Sequence, residues 1–198
     1  MRQLVLATGN PGKLAEMREL LTPLGFEVSP QADLGVADID EPGPGFIENA
    51  LLKARNAARI TGVAAIADDS GLVVPALAGA PGVYSARYAG EPADADKNNQ
   101  KLLSAMSALQ GQERLAWFTC LAVAVKAADD PLPLIAQAHW QGRILEAPSG
   151  TMGFGYDPLF APEGMSCSAA ELDSEKKNAI SHRGLAVADL VIQIQKFW

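Results

Sequence analysis

Leu4-Val5-Leu6-Ala7-Thr8-Gly9-Asn10-Pro11-Gly12-Lys13 is the stretch that decides the fold. Leu4 to Ala7 is a short apolar run, the pattern of a buried strand. Thr8 to Gly12 is a cluster of turn formers. Beyond it Leu14, Met17, Leu20 and Leu21 recur at helical spacing, with Lys13, Glu16, Arg18 and Glu19 between them. Leu24-Gly25 ends this helix, because Gly suits the position just past a helix terminus. Strand, Gly-containing turn and helix in that order open an α/β chain.

The same reading extends outward. Asp38 to Gly45 is acidic and rich in Pro and Gly, hence a loop. Phe46 to Arg59 reads as a helix with Phe46, Ala50, Ala54 and Ala57 along one side. Ala64 to Ala67 is a second buried-strand pattern, followed by Asp68-Asp69-Ser70-Gly71. Pro75 to Glu91 looks irregular. Asp94 to Leu109 is a helix with Leu102, Leu103, Met106 and Leu109 as its apolar face. Leu115 to Ala127 and Leu132 to Leu145 are two long strands separated by Asp129-Asp130-Pro131, which suggests an antiparallel pair. Ser149 to Pro158 is Gly-rich, and Ser181 to Phe197 closes the chain as a helix with Leu185, Val187, Leu190, Ile194 and Phe197 apolar. The pattern predicts an α/β fold with a mixed sheet.

Composition bounds what such a chain does. The 198 residues are 48% hydrophobic and 20% charged, with a formal net charge of −7. Size scaling predicts roughly 9,000 Å² of folded surface against roughly 30,000 Å² unfolded, so the core needs no disulfide or structural metal. A single domain, residues 1–198, is expected, with two lobes. The acidic balance argues against binding a nucleic-acid polymer. Cys120 and Cys167 lie far apart with no metal-ligand spacing, as reduced thiols of a cytoplasmic protein would. The apolar run within Met1 to Ala7 is too short for a signal peptide, and no run is long enough to span a membrane.

Five groups of residues bear on chemistry. Thr8-Gly9-Asn10-Pro11-Gly12-Lys13 points backbone N–H groups and a helix N-terminus at one spot, which suits phosphate, and Lys13 adds a positive charge. It is no Walker loop, since Leu14 follows the lysine. A plain strand-to-helix turn is the alternative. On the second helix, Asn49 and Lys53 share a face. That face is either a second phosphate contact through Lys53 or a solvated side. Asp68 and Asp69 stand where an apolar strand is expected to end, and strand ends are where α/β sheets place ligands. Their oxygens suit Mg²⁺, and a carboxylate beside a metal orients or deprotonates water; an Asx-type turn is the alternative. Asp40 and Glu41 offer further metal oxygens or are solvated loop charges. Phe154 and Tyr156, inside Gly153-Phe154-Gly155-Tyr156-Asp157-Pro158, offer a stacking face for a base with the Asp157 carboxylate nearby, or pack under the loop. In Ser181-His182-Arg183-Gly184, Ser181 fits a helix N-cap. Arg183 then sits in the first turn with His182; the helix dipole disfavours a cation there, which points to a ligand role, and a structural histidine is the alternative for His182.

These stretches, with Gly79-Ala80-Pro81-Gly82 and Tyr84-Ser85-Ala86-Arg87-Tyr88, occur in order from residue 4 to residue 184. Together they resemble the noncanonical purine nucleoside triphosphate pyrophosphatases, also called the Ham1 or inosine triphosphatase family, in its bacterial form. The resemblance implies an elongated mixed sheet with flanking helices and two lobes around a central active-site cleft. It implies a homodimer that hydrolyses dITP, ITP and XTP to the monophosphate and pyrophosphate with Mg²⁺, so that deaminated purines do not enter nucleic acid. By motif, Thr8, Gly9, Asn10, Pro11, Gly12 and Lys13 hold the phosphates, with Lys53 helping. Asp69 is the general base and a metal ligand, flanked by Asp68 and Ser70, and Asp40 or Glu41 completes the metal shell. Phe154, Gly155, Tyr156 and Asp157 hold base and ribose, Lys177 contacts the substrate, and His182 and Arg183 read the base. The chain departs from the family at Pro42, Gly45 and Met152, where Thr, Thr and Gly are common. Two other readings use the same residues: a non-catalytic nucleotide sensor, and a related pyrophosphatase for other modified nucleotides.

Overall fold

The computed structural model describes residues 2–198; Met1, part of the amino-terminal segment read above, lies outside them. β1 (Arg2–Leu6) leads through the Gly-containing turn into α1 (Pro11–Leu21). β2 (Phe26–Pro30), α2 (Phe46–Thr61), β3 (Ala65–Val73), α3 (Ala95–Ala105), β4 (Leu115–Val125), β5 (Leu134–Ile144), β6 (Phe160–Pro162), α4 (Ser174–Ile180) and α5 (His182–Phe197) follow. The strands form one six-stranded sheet in the order β2-β1-β3-β4-β5-β6. β1 runs parallel to β2 and β3, while β6 is antiparallel to β5, so the sheet is mixed. The accessible surface is 9694 Å², close to the area the chain length predicts.

Strand alternation decides which helix covers which side chain. Leu4 and Leu6 of β1, Ile66 of β3, and Cys120, Ala122 and Ala124 of β4 share a core with Met17 and Leu21 of α1 and Val187, Leu190 and Ile194 of α5. The intervening residues Val5, Ala65, Ala67, Val123 and Val125 pack instead with Ala50, Ala54, Ala57 and Ala58 of α2. Small alanines let α2 approach closely at that face. A third core joins Leu72, Leu102, Met106, Phe118, Trp140, Tyr156, Leu159 and Phe160. The chain divides into two compact units. The first holds residues up to Asp69 with Cys120–Ala138 and Arg183–Trp198; the second holds Ser70–Thr119 and His139–His182.

The structure corrects several expectations. β3 does not stop at Ala67 but runs on to Val73, so Asp68 and Asp69 lie inside a strand. It tolerates them because both carboxylates have cationic partners, described below. β2, β6 and α4 escaped the periodicity reading, since each is too short to show a repeat. Leu185 and Phe197 of α5 are exposed, and the core contacts come from Ala186, Val187, Leu190, Val191 and Ile194. Ser181 stands in extended conformation between α4 and α5, and His182 and Arg183 open α5 as expected.

Candidate active site

The chemistry-bearing residues of the first unit gather around Asp68 and Asp69. Consecutive strand residues point to opposite faces, so the two carboxylates serve different helices. Asp68 follows Ile66 toward α1 and α5. Its Oδ2 lies 3.1 Å from Lys13 Nζ and accepts a 3.2 Å hydrogen bond from Arg183 Nε. Arg183 also pairs with Glu16 of α1. The Asp68 side chain is fully buried, so these cations supply the compensation that a desolvated carboxylate requires. Asp69 follows Ala67 toward α2. Its Oδ2 accepts a 3.1 Å hydrogen bond from Asn49 Nδ2, and its Oδ1 lies 3.8 Å from Lys53 Nζ. Lys53 in turn donates to Glu41 at 3.1 Å. Asn49 Oδ1 accepts from the backbone N–H of Gly43, which ties the acidic loop to the Asp69 cluster.

Burial pushes the Asp69 carboxyl above the usual carboxylate range, and Glu41 adds to this; Lys13, Lys53 and Asn49 offset part of it. A carboxylate of raised proton affinity is better suited to accept a proton from water than an ordinary one.

The turn before α1 is held by its own side chains. Asn10 Oδ1 accepts from the N–H groups of Gly12 and Lys13 at 2.9 and 3.1 Å, and Pro11 occupies the first helical position. Thr8 Oγ1 accepts from Asn10 N. The Asn10 cap therefore engages two of the N–H groups expected to face phosphate. A Cβ at Gly9 would lie against the Asp38 carboxylate, which would have to move aside. Of the two acidic candidates, Glu41 pairs with Lys53 and Asp40 is exposed.

The second unit carries the Gly-rich loop. Asp157 Oδ2 accepts from Phe154 N at 2.8 Å and from Lys177 Nζ at 2.6 Å, and both charged residues are buried. Lys177 Nζ also stands 4.9 Å from the centre of the Phe154 ring, within cation–π range. Gly153 has a φ of +73°, and a Cβ there would meet the Asp157 carboxylate. Asn99 Nδ2 donates to Gly155 O at 3.0 Å. Tyr156 lies in the core, donating its hydroxyl to Ser85 O at 2.8 Å, and burial pushes its ionisation well above the ordinary value. Of the two loop aromatics, Phe154 is the half-exposed one. His182 stacks on Phe118, with ring centres 4.8 Å apart and planes within 9°, and beside Trp140 at 6.3 Å.

Thus Lys13, Lys53, Asp69, Glu41 and Arg183 belong to the first unit, with Asp68. Phe154, Asp157, Lys177 and His182 belong to the second, with Ser70 at its start. His182 and Arg183 are adjacent in sequence yet differ in surroundings: one stacks on aromatic rings, the other is gripped by carboxylates. Sequence reasoning missed Glu16, Asn99 and Phe118. Glu16 alone left a signal, standing one helical turn after Lys13. A cavity of about 450 Å³ beside Trp117, Gln141, Arg143 and Met165 is lined by none of the expected site residues.

Residues 4–193 match the family model described as the Ham1 family. The chain belongs to the Ham1 family. A relative from Xanthomonas campestris pv. campestris (strain 8004), named dITP/XTP pyrophosphatase, is 52% identical over 190 residues, 96% of each chain. One from Photorhabdus laumondii with the same name is 51% identical over 94% of this chain and 95% of the relative. The solved structure of a Ham1 protein from Coxiella burnetii superposes with a TM-score of 0.90 at 47% identity, covering 99% of this chain and all of the other. The mixed sheet with flanking helices is therefore the Ham1 fold.

Proposed function

We propose that this Ham1-family chain hydrolyses dITP, ITP and XTP to the nucleoside monophosphate and pyrophosphate. The observation that carries the reading is the placement of Asp69: a buried carboxylate held by Asn49 and flanked by Lys53. Relatives about half identical over nearly the whole chain bear the name dITP/XTP pyrophosphatase, which supports the same substrate class.

Asp69 accepts the proton of the attacking water. Lys13 and Lys53 offset the charge that develops on the phosphoryl oxygens as the bond between the α- and β-phosphates breaks. Thr8 to Gly12 support the phosphates from the turn before α1. Mg²⁺ is usually held by one or two carboxylates together with phosphate oxygens. Among the described residues no three His, Cys, Asp or Glu side chains group closely enough to hold a metal unaided. Asp69 and Glu41, both facing Lys53, fit the smaller requirement, and they are the ligands we assign, with Asp40 left to solvent. When bound, the ion neutralises phosphoryl charge as a Lewis acid.

Phe154 offers a face on which a purine stacks. The donors His182 and Lys177 of the second unit favour the 6-oxo acceptor of hypoxanthine and xanthine over the 6-amino donor of adenine, whereas Arg183, expected to read the base, is held by Asp68 and Glu16. A polar site left with an unmade hydrogen bond discriminates by about 10⁴-fold. No helix of the described residues is long and apolar enough to cross a membrane, which accords with a cytoplasmic pool enzyme, and we assign the homodimer of the family.

A substrate panel tests the reading. With Mg²⁺ the chain is expected to release pyrophosphate from ITP, dITP and XTP, with ATP and GTP much slower. Orthophosphate as the first product, or equal use of GTP, would overturn it. Binding without any product would make the chain a sensor.

A further inference from the structure

We propose that Asn99 is a positioning residue for the Phe154 ring: by holding the Gly155 carbonyl from α3, it steadies the loop that presents the ring to a purine. The proposal rests on the stacking role given above to Phe154, and every contact it uses lies within the second unit. Phe154 stands between Gly153 and Gly155, whose φ angles are +73° and +61°. Glycine has the freest backbone of any residue, so a ring carried between two of them needs tethers to stay in one place. On one side the Phe154 N–H donates to Asp157 Oδ2 at 2.8 Å, a bond inside the loop. On the other side Gly155 O accepts from Asn99 Nδ2 at 3.0 Å, a bond that reaches outside the loop to a helix 56 residues away in sequence.

The adjacent Asn98 shows what a structural asparagine does in this helix. Its Oδ1 accepts from Ala89 N at 2.6 Å and its Nδ2 donates to Ala86 O at 2.9 Å, so both ends of the amide are used. Those bonds fix the first turn of α3 to the preceding segment, and Asp94 caps it by accepting from Lys97 N at 3.0 Å. The start of α3 is therefore a firm anchor. Asn99 differs from its neighbour. Its Oδ1 is buried and has no hydrogen-bond partner among the described residues. A buried acceptor left unmatched costs stability, and an apolar side chain of similar shape would avoid that cost. Stability alone thus does not call for Asn99, whereas the Nδ2 bond to the loop does.

The test removes the bond and keeps the ring. Asn99→Leu is close in shape to the parent residue and has neither donor nor acceptor. Hydrogen–deuterium exchange of the free chain, read by mass spectrometry, should show the peptide spanning residues 151–158 exchanging severalfold faster. Peptides of α3 should exchange as in the parent, and the midpoint of thermal unfolding should not fall by more than about 2 °C. With ITP and Mg²⁺, KM should rise about fivefold with kcat within about twofold. In a Phe154→Ala background the same substitution should change KM by less than about twofold, because the ring it positions is gone. Asn99→Asp also lacks the N–H donor and should give the same pattern; it carries the test if Asn99→Leu fails to fold. Unchanged loop exchange, an unchanged KM, or a KM effect equally large without Phe154 would overturn the proposal. Faster exchange in α3 with a lowered unfolding midpoint would make Asn99 a structural residue and overturn it as well. A parent chain that releases no pyrophosphate would overturn the proposed function instead, and the loop exchange would still decide whether Asn99 anchors the loop.

Discussion

The charge cluster around Asp69 and the aromatic cluster around His182 are built on opposite principles. In the first, Lys13, Lys53 and Arg183 face Asp68, Asp69, Glu41 and Glu16, with neighbours of opposite sign 3–4 Å apart. In the second, His182 lies flat on Phe118 within a group completed by Trp140 and Phe160, and the Lys177–Asp157 pair is tucked under the Gly-rich loop. The first arrangement concentrates groups whose strength depends on charge, which is what a reaction that redistributes phosphoryl charge requires. The second concentrates flat surfaces and fixed donors, which is what telling one purine from another requires. Loss of turnover and loss of selectivity should therefore be separable by mutation.

The largest effect is expected at the base. Asp69→Asn should fold and still bind nucleotide, yet lose about 10³-fold in kcat. Steady-state kinetics beside calorimetric binding checks this. Next is Lys177→Met, which leaves the Asp157 carboxylate buried beside the Phe154 N–H without its cation. The stability lost should be about 3–5 kcal/mol by denaturant titration. A loss below about 1 kcal/mol would mean the pair is solvated in solution, as an exposed ion pair would be.

Phe154→Ala removes the half-exposed ring and its contact with Lys177. Base stacking is worth about 1–3 kcal/mol, so KM for ITP should rise by about tenfold or more with kcat little changed. The smallest effect lies outside both clusters. Asp130 in the turn after β4 accepts from the N–H groups of Lys126 and Leu132, each at 2.9 Å. The Lys126 N–H foremost, then that of Leu132 and the charges of Lys126 and Arg55, outweigh desolvation and hold its carboxyl below the usual range. A depressed carboxylate stabilises the fold above its unfolded pKa of about 3.9 and loses that contribution as pH falls through the lower folded value. Asp130→Ala should therefore cost about 1–2 kcal/mol at pH 7. The gap between parent and variant should narrow below about pH 4, as thermal melts across pH would show.

The two clusters also differ in how they announce themselves in sequence. The residues of the charge cluster stand in short motifs, because a helix turn and a strand place neighbours in sequence near one another in space. Asn49 and Lys53 were legible as one helix face, and Lys13 as the end of a strand-to-helix turn. What was hidden was the length of β3: two adjacent aspartates read as a strand end until their cations are known. Glu16 was visible as a helix residue, but its partner Arg183 lies at the far end of the chain. The aromatic cluster draws Phe118, Trp140, Phe160 and His182 from four separate elements, and no periodicity links them. Tyr156 shared a motif with Phe154, yet only tertiary packing decides that one ring is core and the other half-exposed. β2 was obscured for another reason: as an edge strand it buries only Phe26 and Pro30 at its ends, so it lacks the alternation of a half-buried strand.

The most direct test of the division of labour compares Asp69→Asn and His182→Phe side by side, measuring kcat/KM for ITP and for ATP in each. The account predicts that Asp69→Asn lowers both values by a similar factor and leaves their ratio near that of the parent. His182→Phe keeps the stack on Phe118 but removes the ring N–H donor, so it lowers the ITP value more than the ATP value and the ratio shrinks. A changed ratio in Asp69→Asn with an unchanged ratio in His182→Phe would contradict it.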